Sequence, residues 1–312
     1  MKLVTIDIDG ADVPGVLLDA GILDLRAAAA ALDTHTAHGG VLGILQAGQA
    51  GLDGVRRLVD AAQGKIDDMR AAGAIHDPDL VRYRPPIPKP GLILSVGMNY
   101  AKHLAEMNTP IPKEPAAFIK VPTSLNGHGE PIRLPAGHAD MVDFEGELTF
   151  VIGRSCHQVS EAEAMDCVAG YTIANDVSAR DWVPAVFTVE GTMPAIHAWE
   201  KNILGKNYPG FTPMGPVIVT KDEIDDPAAL HLVTKLDGEV MQDTLTELVF
   251  PIPKLIAYYS QWYRFSPGDV VTTGSPEGVG FGRDPKVFMK PGQTIEVTVE
   301  GIGTLSNPVV AG

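Results

Sequence analysis

Two short strings supply the residues best suited to chemistry in this chain: Asp143-Phe144-Glu145-Gly146-Glu147-Leu148 and Asn175-Asp176-Val177. The first reads as the start of a strand from Asp143 to Gly153, because Leu148, Phe150, Val151 and Ile152 follow it. Side chains two apart on a strand share a face, so Glu145 and Glu147 are expected to project together. Like charges held that close raise each other's pKa unless a cation lies between them. An all-oxygen set with no nearby Cys or His favours Mg²⁺, Mn²⁺ or Ca²⁺ over zinc. The plainer alternative is a solvated strand face, the usual setting of carboxylates.

Further along lie groups that could move protons or hold an anion. His103 and Glu106 are three apart in a segment with helical Ala101, Leu104 and Ala105, so they share a helix face. A carboxylate on one imidazole nitrogen fixes the tautomer and raises the basicity of the other, as a general base near neutral pH requires. An ordinary surface pair has the same spacing. Lys206, between Gly205 and Asn207, reads as a loop lysine; Ser275, in Thr-Gly-Ser-Pro, as a turn hydroxyl. Lys120 follows the apolar Phe118 and Ile119, and Arg180 is placed to pair nearby carboxylates.

Taken in order, Asn99-Tyr100-Ala101-Lys102-His103-Leu104-Ala105-Glu106, the two acidic strings, Asp176-Val177-Ser178-Ala179-Arg180-Asp181, Gly205-Lys206, Phe211-Thr212-Pro213-Met214-Gly215-Pro216 and Thr272-Thr273-Gly274-Ser275-Pro276-Glu277-Gly278-Val279-Gly280 resemble the fumarylacetoacetate hydrolase family, from roughly Pro90 to the C-terminus. The resemblance implies a metal-dependent enzyme acting on carbon–carbon bonds beside a keto group. It implies Glu145, Glu147 and Asp176 as ligands of Mg²⁺ or Mn²⁺ (with Ca²⁺ able to substitute in crystals), and His103 with Glu106 as the catalytic dyad. Lys206 becomes the group that stabilises negative charge, and Lys120, Arg180 and Ser275 become substrate-binding residues. The expected reaction is hydrolysis of a 1,3-dioxo acid such as an acylpyruvate or fumarylpyruvate, in the catabolism of aromatic compounds. Decarboxylation of an oxaloacetate-like acid, isomerisation of a hydroxydienoate, and a non-enzymatic oxo-acid binder are the alternatives.

Two features depart from the family pattern. Val183 stands where a Gln is usual, and Ser275 where Thr is usual. The 23 residues between Trp182 and Lys206 include Phe187, Val189, Met193, Ile196 and Trp199, unusually apolar for a loop. Such a segment is expected either to cover the site or to pack in a homodimer interface.

Composition bounds the rest. With 312 residues, 45% hydrophobic and 20% charged, the chain can bury a large core. A formal net charge of −15 argues against nucleic acid as a partner. Two cysteines, Cys156 and Cys167, read as reduced thiols of a cytoplasmic protein, and no apolar run is long enough for a membrane span. Residues 1–85 read as a small N-terminal α+β domain with strands at Val4–Ile8 and Gly15–Leu18 and helices at Leu25–Leu32 and Asp53–Ala62. Four prolines in Arg84–Pro90 mark an extended connector. Residues 86–312 read as a β-dominated catalytic domain with short helices at Tyr100–Met107, Glu161–Asp166 and Ile252–Trp262. This pattern reads as α+β, and the family resemblance implies a fumarylacetoacetase C-terminal-like mixed β-sandwich roll. Gly278-Val279-Gly280-Phe281-Gly282 has no following helix, so a nucleotide-binding reading is poor.

Overall fold

The computed structural model describes residues 1–35, 39–183 and 189–312. Among these, two sheets carry the architecture. The larger has twelve strands. Ten of them run in the order Ile75–His76, Gly21–Asp24, Ala11–Leu18, Lys2–Ile8, Thr212–Thr220, Val168–Asn175, Gly146–Ile152, Val270–Thr272, Ile93–Gly97 and Ala116–Lys120, while Arg82–Tyr83 pairs with Lys2–Ile8 and Leu125–Asn126 with Thr212–Thr220. The smaller has five strands, with His231–Leu236 and Thr294–Val299 inside and Ile132–Leu134 at one edge. The β-dominated, few-helix α+β class expected from the sequence is the class observed.

The central strands are buried along their whole length, every residue of Gly146–Ile152 and Val168–Asn175 included. Leu148, Phe150, Ile152, Tyr171 and Ile173 pack with Val4 and Ile6 from one side and Val297, Val299 and Leu305 from the smaller sheet. The proline-rich Arg84–Pro90 connector joins two stretches of chain that share one sheet, because Lys2 pairs with Val219 and Leu3 with Ile218. Among the described residues, no helix is long and apolar enough to cross a membrane.

Helices appear where the 3.6-residue pattern placed them, with changed ends. The first spans Leu25–Ala31, capped by the Asp24 carboxylate on the Arg26 and Ala27 amides. The helix expected at Asp53–Ala62 spans Gly48–Gln63, preceded by an unforeseen one at Gly40–Gln46, and the last stops at Tyr259 rather than Trp262. Two expectations need correction. The strand expected from Asp143 to Gly153 is interrupted: Val142–Asp143 pairs with Ser178–Ala179, and the long strand begins at Gly146, so Glu145 lies between strands. The segment expected as an apolar loop contains a helix, Thr192–Gly205; Pro184, Ala185, Val186 and Phe187 lie outside the described residues.

Close packing between central strands sets a testable limit. A Cβ on Gly170 would sit 2.2 Å from the Val219 carbonyl oxygen, on the neighbouring strand. Gly170→Ala is therefore expected to cost about 1–3 kcal/mol in urea unfolding, as overpacking does. Gly54, in the helix Gly48–Gln63, has open space around it, and Gly54→Ala should instead raise stability by about 0.5–1 kcal/mol.

Candidate active site

The acidic groups converge because of strand register. Gly146 pairs with Asn175 and Glu147 with Ala174, so the residues just beyond, Glu145 and Asp176, meet at the same end of the hairpin. The Asp176 amide donates to the Glu145 carbonyl at 2.8 Å, and the Glu145 amide donates to Asn175 Oδ1 at 2.9 Å. One carboxylate oxygen from each of Glu145, Glu147 and Asp176 lies within 4.8 Å of the other two, and all three residues are buried.

Cations surround this cluster. Lys206 Nζ lies 2.7 Å from Glu145 Oε2 and 2.6 Å from Asp176 Oδ2. Lys120 Nζ bonds Asp176 Oδ1 and also donates to the Phe211 carbonyl at 2.9 Å. Arg180 bonds Glu145 and holds Asp143 Oδ2 through Nε at 3.0 Å. Lys206 was expected in a loop; instead it caps the C-terminus of the helix Thr192–Gly205, whose position therefore sets its reach. Lys120, expected to bind substrate, is 1% exposed and stands behind Asp176 rather than in the cavity.

Glu147 differs from its two neighbours. Its Oε2 accepts the Gly274 amide at 2.8 Å, and among the described residues no lysine or arginine pairs with it. Burial and the nearby Asp176 and Glu145 push its carboxyl well above the usual carboxylate range. Burial acts the same way on Glu145, but Lys206 and Arg180 hold that carboxyl well below its usual value. With all four ionised, the carboxylates of Asp143, Glu145, Glu147 and Asp176 face three cations and leave one negative charge in excess. This donor set fits a hard divalent cation: three buried carboxylates, no sulfur or imidazole within the cluster, and one carboxylate still short of positive charge.

Opposite the cluster, the chain leaves the strand Ile93–Gly97 through Met98, whose φ of 56° turns it sharply into the helix Ala101–Glu106. Asn99 fixes this turn from inside. Its side-chain Nδ2 donates to the Thr273 carbonyl at 2.9 Å, and its Oδ1 accepts the Phe250 backbone amide at 2.7 Å. His103 then faces the cavity, with Nδ1 3.2 Å from Glu106 Oε2.

One cavity of about 120 Å³ is lined by His103, Glu145, Glu147, Asp176, Arg180, Lys206 and Ser275. Glu106 stands behind His103, and Ser275 Oγ accepts from Gln242 Nε2 at 2.8 Å. Leu104, Met107, Phe118 and Trp199 form its apolar wall, with Phe118 and Trp199 edge to face at 6.4 Å. Three participants were not found from sequence: Asn202, on the unforeseen helix; Asp143, whose carboxylate orients Arg180; and Gln242, on the smaller sheet. Asp143 heads the acidic string itself, a signal that was present; nothing local marked Gln242.

Glu147→Gln keeps an acceptor for the Gly274 amide but removes a ligand charge. Mn²⁺ titration followed by electron paramagnetic resonance should show at least a ~10²-fold loss of affinity, with the fold intact. Asp143→Ala removes a fully buried partner of Arg180 and should cost about 3–5 kcal/mol in urea unfolding.

Residues 92–310 match the family described as fumarylacetoacetate (FAA) hydrolase C-terminal. The oxaloacetate tautomerase fahd2, mitochondrial, of Xenopus laevis is 42% identical over 230 residues, 72% of this chain and 67% of that one. The human oxaloacetate tautomerase FAHD2B, mitochondrial, is 41% identical over 231 residues, 74% of this chain and 70% of that protein. A solved structure of maleylpyruvate hydrolase from Sphingobium sp. SYK-6, in complex with manganese (II) ion and pyruvate, covers 100% of both chains at a TM-score of 0.76 and 27% identity. The match over residues 92–310, with the buried carboxylates, the lysines and the His103–Glu106 pair all inside it, places this chain in the fumarylacetoacetate hydrolase family of enzymes.

Proposed function

We propose that this chain catalyses keto–enol tautomerisation of a small 2-oxo dicarboxylic acid of the oxaloacetate type, with a divalent metal held by Glu145, Glu147 and Asp176. The observation that carries this reading is that His103, braced by Glu106, faces the same cavity as the acidic cluster and Lys206. Glu145, Glu147 and Asp176 would hold the divalent ion, whose positive charge would make the C–H beside a 2-oxo group more acidic. His103 takes the proton from C3, the C2–C3 double bond forms, and the C2 oxygen gains a proton, so the overall change is one proton moved within the molecule. Lys206 keeps an ammonium in the cavity while negative charge develops on that oxygen. The site's single excess negative charge becomes a positive one once a divalent ion is added, which suits a dianionic substrate.

Two relatives above 40% identity carry the tautomerase name, which supports this choice over hydrolysis. Hydrolysis also asks for a donor at the distal carbonyl. Val183, at the expected position of that donor, packs against Gly205 instead and is not among the described residues lining the cavity. Hydrolysis of a 1,3-dioxo acid is the second reading, favoured by the full-length likeness to the maleylpyruvate hydrolase. A homodimer belongs to the same proposal. Met193, Ile196 and Leu204 on one helix, with Ile119 and Val121 at the sheet edge, are each between 42% and 59% exposed, a face suited to a second copy.

Exchange of the C3 protons of oxaloacetate into deuterated buffer, followed by NMR with Mn²⁺ replaced by Mg²⁺, tests the leading reading. His103→Ala should slow enzyme-dependent exchange by about 10²-fold or more while Mn²⁺ content stays unchanged. Cleavage of maleylpyruvate at a higher kcat/KM than oxaloacetate exchange would replace the tautomerase by the hydrolase.

A further inference from the structure

The glycine-rich segment Gly278-Val279-Gly280-Phe281-Gly282 is too short of helix for a nucleotide, yet its backbone does hold anions. The anions belong to the protein itself. The Gly278 amide donates to both carboxylate oxygens of Glu106, each at 3.2 Å. Two residues on, the Gly280 amide donates to Asp143 Oδ1 at 2.7 Å and the Phe281 amide to Asp143 Oδ2 at 3.1 Å. Successive amides aimed into a concave turn form an anion-binding nest, the arrangement often used for phosphates. Here it takes one carboxylate from each side of the active site.

The loop is fastened independently of the carboxylates it holds. Arg283 Nε donates to the Gly278 carbonyl at 3.1 Å, and Arg283 Nη2 donates to the Met241 carbonyl at 2.5 Å. Asp143 in turn bonds Arg180, and Arg180 bonds Glu145. One rigid turn therefore fixes both halves of the site: the proton carrier through Glu106, and a metal-cluster carboxylate through Asp143 and Arg180. Gly282 is the sharpest evidence. A Cβ there would lie 2.5 Å from Glu106 Cδ and 2.8 Å from each of its oxygens, with no backbone atom among its nearest neighbours. Space at residue 282 is occupied by the Glu106 carboxylate itself.

We infer that the Gly278–Gly282 turn is the positioning device of the His103–Glu106 pair, and that Gly282 is a positioning residue whose missing side chain seats the Glu106 carboxylate. The inference rests on the proposed role of His103 as proton carrier for its effect on rate, but not for its effect on geometry. Any side chain at residue 282 moves the carboxylate, and His103 loses the partner that orients its ring. A displacement of about 1 Å in a catalytic group can cost about 10²-fold in rate.

The test compares Gly282→Ala, Glu106→Gln and the double variant, each as the full chain loaded with diamagnetic Mg²⁺, with Mn²⁺ affinity titrated separately. His103 is followed by ¹⁵N NMR of protein labelled at histidine, with His103→Ala assigning its signals. Gly282→Ala is expected to shift the His103 ring nitrogens, lower kcat by roughly 10- to 10²-fold, and leave KM and Mn²⁺ affinity within about twofold. The double variant should lose no more than Glu106→Gln alone, because both act through one carboxylate. Glu106→Asp, which shortens the side chain, should restore part of kcat when added to Gly282→Ala. A His103 spectrum unchanged by Gly282→Ala, or losses that multiply in the double variant, overturns the inference. Should His103→Ala keep full activity, the proton-carrier reading fails, and the His103 spectrum alone then decides the positioning.

Discussion

Three carboxylates buried within 4.8 Å of one another are the constraint around which the site is built. Water cannot solvate them there, and mutual repulsion would protonate them or push the chain apart. The protein answers with Lys206 and Lys120 on Asp176, and Lys206 and Arg180 on Glu145. Glu147 receives a backbone amide from Gly274. That uneven distribution is what makes the cluster suited to a divalent ion, since full neutralisation by side chains would leave nothing for a metal to do.

Holding such groups requires rigid elements on every side. Glu147 belongs to a fully buried strand, and Asp176 follows directly from another, so their separation is fixed by a ladder of backbone hydrogen bonds. Lys206 ends a helix, Lys120 ends an edge strand, and Arg180 is locked by Asp143. His103 is on a helix of six residues, too short to hold itself, and Asn99 at one end and Glu106 at the other tie it to the turns after Thr272. The smaller sheet reaches the same place: Gln242 accepts the Gly146 amide, between two of the acidic residues, and donates to Ser275. Each active-site group thus depends on packing far from it in sequence.

Some of this was legible from residue types alone. The apolar run Leu148 to Ile152 located one central strand, because a strand buried on both faces has little choice but Val, Ile, Leu and Phe. The His103–Glu106 spacing carried its own geometry, since three residues apart on a helix are neighbours whatever surrounds them. Glu145 and Glu147 were correctly brought together, although by a different route, for Glu145 lies outside the strand that was expected to contain it. The helix Thr192–Gly205 was missed because its exposed Met193, Ile196 and Trp199 do not segregate into one clean buried stripe.

The sequence by itself determined the chemistry on offer: an oxygen-only acidic set, a histidine with a carboxylate behind it, and lysines with no fixed partner. Tertiary structure decided which of these groups meet. Asp176 joins Glu145 through the register of a hairpin, which local sequence does not specify at single-residue precision. Lys120 turned inward to Asp176 instead of lining the cavity, because burial leaves an ammonium no solvent and a carboxylate is its strongest available partner. The glycine-rich turn shows the same division: its composition permits backbone amides to approach an anion, and only the fold supplies Glu106 and Asp143 as those anions.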